Sequence, residues 1–288
     1  MEKNKFLTSL LVLILLFPYA NATMSGPKRT KASKHFVLVH GACHGAWSWY
    51  KIVALIRSSG HNVTSLDLGA SGINKKQVLE IPYLSDYFSP LMEFMASLPS
   101  YEKVILVGQS LGGFAISKAM ESFPEKISVA IFVNALMPGP ILDAATVFNE
   151  SSRGVVFKLD NRVTFDNGLA NPPTTFIYGP KYLASYNYPL SPIQDWALAT
   201  TLVRPIYFFS LNDVSKEIVL SNKKYGSVRR AYIVAAEDKV LKKKFQQLMI
   251  EKNPPDEVKE ISGSDHMPMM SKPLQLFTHL TRIANKYS

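Results

Sequence analysis

Cysteine is almost missing from this sequence. Cys43 is the only one in 288 residues, so no intramolecular disulfide can form, and an oxidising compartment is neither required nor excluded. No metal-ligand cluster, dinucleotide-binding glycine fingerprint or phosphate-binding loop is present, so no cofactor and no metal are expected. No repeat with a period of roughly 20–50 residues appears, and no low-complexity tract. No apolar run reaches the ~20 residues of a membrane span, so the mature chain is not expected in a membrane. Basic stripes interleaved with aromatics are also lacking, which argues against a nucleic-acid partner despite a net charge of +10. The densest internal basic run, Lys242-Lys243-Lys244, reads as solvated surface with a weak attraction for acidic polymers.

What remains is ordinary globular material, 47% hydrophobic and 19% charged, enough for one large domain or a domain with an insertion. The N-terminus stands apart. Lys3 and Lys5 precede a short apolar core, Leu10 to Phe17, and Ala20-Asn21-Ala22 offers the small residues of a cleavage site. Residues 1–22 therefore read as a secretory signal peptide, with a cytoplasmic location as the alternative. Residues 23–34 are polar and basic and read as a disordered lead-in. If the chain is secreted, Asn62 and Asn149 head glycosylation sequons. Asn62 falls in an expected strand and should be inaccessible, which leaves Asn149 as the better acceptor. A third sequon, at Asn21, straddles the cleavage point.

The organising stretch is Val104 to Gly113, in which four apolar β-formers run into Gly108-Gln109-Ser110-Leu111-Gly112. Helical spacing follows from Phe114 to Phe123. Strand, Gly-x-Ser-x-Gly, helix is the order of a nucleophile elbow, in which a strained turn raises one serine hydroxyl above a sheet. Upstream, HFVLVH (35–40) reads as a first buried strand and empties into Gly41-Ala42-Cys43-His44-Gly45. Helical spacing covers Trp47–Arg57 and Tyr83–Leu98, with a strand at 62–68 between them, and Val129–Val133 is another continuous apolar strand. Continuous strands alternating with amphipathic helices predict an α/β fold, a mostly parallel sheet covered on both faces.

Residues 35–135 are thus the first part of an α/β core. From 136 to 208 prolines multiply, aromatics are frequent and the alternation stops, which predicts an inserted cap over the serine that lines a substrate pocket. The core resumes over 209–288, with strands at 231–236 and 257–262, a helix at 241–250 and a closing helix at 274–287.

A serine hydroxyl needs a base, and the base needs an orienting carboxylate. Three strand ends supply them in the order Ser110, Asp238, His266. That order is the one expected of an α/β-hydrolase. Ser110 is assigned as nucleophile, His266 as general base and then acid, and Asp238 as orienter. The amides of Ala42 and Leu111 are assigned to the oxyanion hole. His40 and His44 read as structural, His35, His61 and His279 as surface or packing residues. Asp265 should point away from its neighbour His266, and Asp213 is the runner-up acid.

The segments HFVLVHGACHGAWSWYK, VTSLDLGASGI, LVGQSLGG, YGSVRRAYIVAAEDK and GSDHMPMMSKP together resemble the plant methylesterases. These are the salicylate-binding-protein-like and polyneuridine-aldehyde-esterase-like α/β-hydrolases, and the likeness runs from about His35 to Tyr287. The resemblance implies hydrolysis of methyl salicylate, methyl jasmonate or methyl indole-3-acetate, with the triad on Ser110, Asp238 and His266. The partner implied is a small ester; homodimer formation is left open. Related hydroxynitrile lyases typically carry Lys after the histidine and Thr or Asn at the first turn. Here those positions are Met267 and Gly41, both expected to meet substrate, and both favour the esterase. The residue before the serine is Gln109 where the family usually has His, so altered rate or preference is expected. A non-catalytic small-molecule binder on the same scaffold is the reading from a different class.

Overall fold

In the computed structural model, residues 33–153 and 155–288 are described. The expected signal peptide and all of the lead-in except Ser33 and Lys34 lie outside them. In chain order the elements are β1 His35–Val39, α1 Tyr50–Ser58, β2 Asn62–Leu66, α2 Leu84–Ser97, β3 Val104–Ser110, α3 Gly112–Ser122 and β4 Ile127–Ala135. Then come α4 Ala144–Ser152, β5 Arg162–Thr164, β6 Thr175–Ile177, a short α5 Pro180–Tyr182, α6 Ile193–Leu202, β7 Ile206–Tyr207 and α7 Leu211–Glu217. The chain closes with β8 Arg230–Ala235, α8 Lys243–Lys252, β9 Glu257–Ile261, a short α9 Pro268–Ser271 and α10 Pro273–Tyr287.

Six strands form one sheet in the order β2-β1-β3-β4-β8-β9, and every pairing is parallel. Parallel strands need helical crossovers, which cover both faces, so the central strands must be apolar on both sides. Residues 104–110 of β3 are buried without a break, whereas β9, at the sheet edge, alternates between half-buried and exposed positions until the buried Ile261. The chain runs from β1 outward to β2 and then returns to β3 on the other side of β1. The strand order therefore reverses between β1 and β3, and open α/β sheets bind ligands at the C-terminal ends of the strands flanking such a reversal. The Gly41-Ala42 turn and Ser110 stand at those two ends.

The inserted region is more regular than its sequence suggests. Strands β5, β6 and β7 form a small antiparallel sheet, and α4, α5 and α6 accompany it. Helix α7, just past the expected boundary at 208, packs on α4 and α2. Polar contacts bind this region to the core. Lys51 Nζ in α1 is 2.5 Å from Asp195 Oδ2 in α6, and Tyr50 Oη donates to Asp195 Oδ1 at 2.8 Å. The Arg204 guanidinium donates to the carbonyls of Gly72, Asn74 and Lys76.

The two sequons sit differently from expectation. Asn62 does open β2, but it is exposed, because β2 is an edge strand and Asn62 is its first residue. Asn149 lies inside α4 and is half-buried.

Candidate active site

Ser110 ends β3 with φ +52°, a left-handed conformation that side-chain-bearing residues rarely adopt. Close packing holds it there. A Cβ on Gly108 would lie 2.7 Å from the Gly112 carbonyl oxygen, and one on Gly112 would lie 2.7 Å from that of His40. Both flanking glycines are thus demanded by contact with backbone, and the turn they permit puts Ser110 Oγ above the sheet.

The structure brings the three expected side chains together from three strand ends. His266 Nε2 is 3.1 Å from Ser110 Oγ, and His266 Nδ1 is 2.8 Å from Asp238 Oδ2. The second oxygen, Asp238 Oδ1, accepts from the backbone N–H groups of Val240 at 2.7 Å and Leu241 at 2.9 Å. Those donors fix the position of the carboxylate. The loops holding Asp238 and His266 are also tied to each other, since Glu237 N–H donates to the Ser264 carbonyl at 3.1 Å. Ser110, Asp238 and His266 are all buried.

The residues set aside in the sequence have other partners. Asp265 points away from the triad and accepts from Leu190 N–H, Ser191 Oγ–H and Met267 N–H, which joins the His266 loop to the inserted region. Burial lifts its carboxyl above the ordinary carboxylate range in spite of those donors. Asp213 accepts from Leu84 N–H at the start of α2. His40 bridges the Gly41 carbonyl and Leu68 N–H. His44 bridges the Ala42 carbonyl at 2.8 Å and Tyr188 Oη at 2.7 Å, a strut from the first turn to the inserted region. Burial lowers the pKa of both, that of His44 to about 3, so both are neutral.

Two amide side chains have a role that the sequence reading missed. Gln109 Nε2 donates to the His266 carbonyl at 2.8 Å, and Asn134 Nδ2 donates to the same carbonyl at 3.0 Å. Asn134 Nδ2 also lies 2.8 Å from Asp238 Oδ2. Asn134 is the extra residue of a bulge: Gln109 pairs with Val133 and Ser110 with Ala135, and Asn134 between them has φ +32°. A bulge redirects one side chain, here toward the Asp238–His266 pair. The available signal was a single amide within the apolar run Ile131–Met137.

A cleft of about 680 Å³ opens at Ser110. Ala42 and Leu111 line it beside the serine, and Phe148, Phe176, Tyr178 and Phe209 supply much of the wall. Among the described residues no charged side chain lines it. Gly41 and Met267, expected to meet substrate, are not on this wall. Met267 is buried, and Gly41 is covered by Gln109 and Ser110, whose atoms would lie 2.6 and 2.8 Å from an added Cβ. Among the described residues no group of His, Cys, Asp and Glu is placed to hold a metal ion.

Comparison with known proteins fits this geometry. Residues 36–279 match the model of the alpha/beta hydrolase family. Methyl jasmonate esterase 1 of Vitis vinifera is 54% identical over 90% of this chain and 99% of its own length. The chain belongs to the α/β hydrolase family, in its plant methylesterase branch. Salicylic acid-binding protein 2 of Nicotiana tabacum is 44% identical over 90% of this chain and all of its own. Among solved structures, this hydrolase superposes on tomato methylketone synthase I in complex with 2-tridecanone. The TM-score is 0.88 and the identity 69%, over 90% of this chain and all of that one.

Proposed function

We propose that this chain, a carboxylic ester hydrolase by family, cleaves methyl esters of small plant acids through an acyl-serine intermediate. The observation that carries the reading is the hydrogen-bonded series Ser110–His266–Asp238 at the end of an uncharged apolar cleft. The ester's acyl part lies against the aromatic wall. His266 Nε2 takes the Ser110 proton as Oγ attacks the carbonyl carbon, and Asp238 keeps Nδ1–H aimed and stabilises the imidazolium. The tetrahedral oxyanion is held by the N–H groups of Ala42 and Leu111, each worth about 3–4 kcal/mol of barrier. The imidazolium then protonates the departing methoxide. A water molecule, deprotonated by the same imidazole, attacks the acyl-serine; the Oγ–acyl bond breaks, the imidazolium returns the proton to Ser110 Oγ, and the acid is released.

The test is methanol release from methyl jasmonate, methyl salicylate and methyl indole-3-acetate, with fluorophosphonate labelling in parallel. Turnover and labelling that both vanish in Ser110→Ala support the reading. Folded wild-type protein that is neither labelled nor active refutes it and favours a binding protein. A second reading concerns the acid. The bound 2-tridecanone in the tomato structure is a long unbranched ketone. That likeness and the long apolar wall favour a linear acyl chain over a compact ring. A length series of methyl alkanoates against the three aromatic or cyclic esters separates the two. The apolar leader and the exposed Asn62 support export of the mature chain. N-terminal sequencing and glycosidase treatment of the plant protein check that.

A further inference from the structure

The basic surface near the site is not used by the mechanism above. Beside the catalytic cleft lies a second recess of about 770 Å³. The two spaces share wall residues Ser151, Val155 and Val240. A stack of tyrosine rings also joins them. Tyr178 lines the cleft, Tyr182 and Tyr186 line the recess, and successive ring centroids are 5.2 and 4.7 Å apart with planes within 4° and 16°. The walls differ in charge. Among the described residues the cleft has no charged side chain, whereas Lys158, Lys239 and Lys242 ring the recess. The one acid among its described lining residues, Glu150, is paired with Arg153 at 3.1 Å. Among the described residues none of those three lysines has a carboxylate within ion-pairing distance; Lys158 lies instead over the Tyr186 ring, 4.2 Å from its centroid. Lys242 belongs to the basic run that stood out in the sequence.

Several like charges around a half-enclosed hollow with aromatic, low-dielectric walls focus a positive potential there. A neutral methyl ester would leave it unused. From these observations we infer that the recess is an anion subsite, and that the enzyme's preferred esters carry an anionic group, carboxylate or phosphate, at the end of the acyl part remote from the ester. The apolar stretch of such a substrate lies in the cleft along Tyr178, and its charged end lies among Lys158, Lys239 and Lys242. This inference rests on the esterase reading and narrows its substrate class.

The experiment compares three straight-chain methyl esters of matched length: uncharged, ending in a carboxylate, and ending in a phosphate. Each is assayed at about 20 mM and about 500 mM salt, where the screening length falls from roughly 20 Å to a few ångströms. For the wild type, kcat/KM should favour one or both anionic esters by about tenfold at low salt, through KM, and the preference should collapse at high salt. Lys158→Gln/Lys242→Gln should erase the preference while leaving turnover of the uncharged ester unchanged. The better of the two anionic esters identifies the group. Equal turnover of charged and uncharged esters at low salt overturns the inference. If no ester is cleaved at all, the esterase reading has failed separately. The recess is then tested by calorimetric titration of the Ser110→Ala protein with the free dicarboxylate. Binding that weakens with salt and in the double lysine variant supports the subsite, and absence of binding overturns it.

Discussion

Asn134 provides the sharpest test of how the triad is held. Its Nδ2 donates to Asp238 Oδ2 at 2.8 Å and to the His266 carbonyl at 3.0 Å, while its Oδ1 is buried with no partner among the described residues. In Asn134→Ala the charge-assisted bond is lost, worth about 1.5–3 kcal/mol, together with a neutral one worth about 1 kcal/mol. Two effects offset this. The buried unpartnered oxygen disappears, returning about 1–2 kcal/mol, and Asp238 stays satisfied by His266 and by the N–H groups of Val240 and Leu241. With about 1 kcal/mol of strain for alanine at this positive φ, net stability should therefore fall by about 2–3 kcal/mol. Orientation of the base has no such compensation, so kcat/KM should fall about 10- to 30-fold, equivalent to about 1.4–2 kcal/mol of barrier.

Asn134→Gly separates the amide from the backbone. Alanine at φ +32° adds about 1 kcal/mol of strain, and glycine does not. Both variants should lose activity alike, but the glycine variant should be the more stable in urea titration. Gln109 donates to the same carbonyl, so each amide partly covers for loss of the other. Removing both should cost about 1 kcal/mol of barrier more than the sum of the single changes. Measurements are kcat/KM on the best methyl ester and the rate of fluorophosphonate labelling. Asn134→Gly with wild-type values in both assays, or strict additivity with Gln109→Ala, refutes the reasoning.

Gly41→Ala should reduce kcat at least about 100-fold with little change in fold by circular dichroism, because its Cβ would sit 2.8 Å from Ser110 Cβ and displace the nucleophile. Asp195→Ala strands Lys51 in a part-buried site and should destabilise the protein by about 3 kcal/mol in urea titration. A loss below about 1 kcal/mol would show that the contact between α1 and α6 is dispensable. For pH, burial lowers His44 from 6.5 to about 3. The folded state thus binds its proton more weakly than the unfolded state does. The stabilisation is complete above pH 6.5 and is lost as pH falls from there toward 3, at about 1.4 kcal/mol per unit. Between pH 7 and 5 this costs about 2 kcal/mol, and His44→Gln should flatten that part of the stability curve.

The parts that sequence disclosed are those where packing leaves little choice. β3 is covered on both faces, so it reads as an unbroken apolar run, and the glycines around Ser110 are forced by backbone contacts below 3 Å. Asp238 and His266 were legible because each follows a strand whose C-terminal end faces the same crevice. The inserted region was not, since β5, β6 and β7 are two or three residues long, too short to show a period of two. The accessibility of Asn62 depends on which strand lies at the sheet edge, and strand order is not written in local pattern. Asn134 escaped because its role is created by a bulge of one residue relative to β3, a tertiary event that a run of apolar neighbours does not announce.

Gly41 and Gln109 looked like two independent departures, the first from the hydroxynitrile lyases and the second from the usual methylesterase elbow. The structure makes them one. A Cβ at position 41 would lie 2.6 Å from Gln109 Oε1, the oxygen of the same amide whose nitrogen holds the His266 carbonyl. Threonine or asparagine at 41 would push that amide aside and release the carbonyl. The bare glycine is therefore what allows glutamine to act as a support for the base. It follows that the part of the Gly41→Thr loss caused by displacing this amide should vanish in a Gln109→His background, while the part caused by the 2.8 Å approach to Ser110 Cβ stays. Equal damage in both backgrounds would mean that position 41 acts on Ser110 alone.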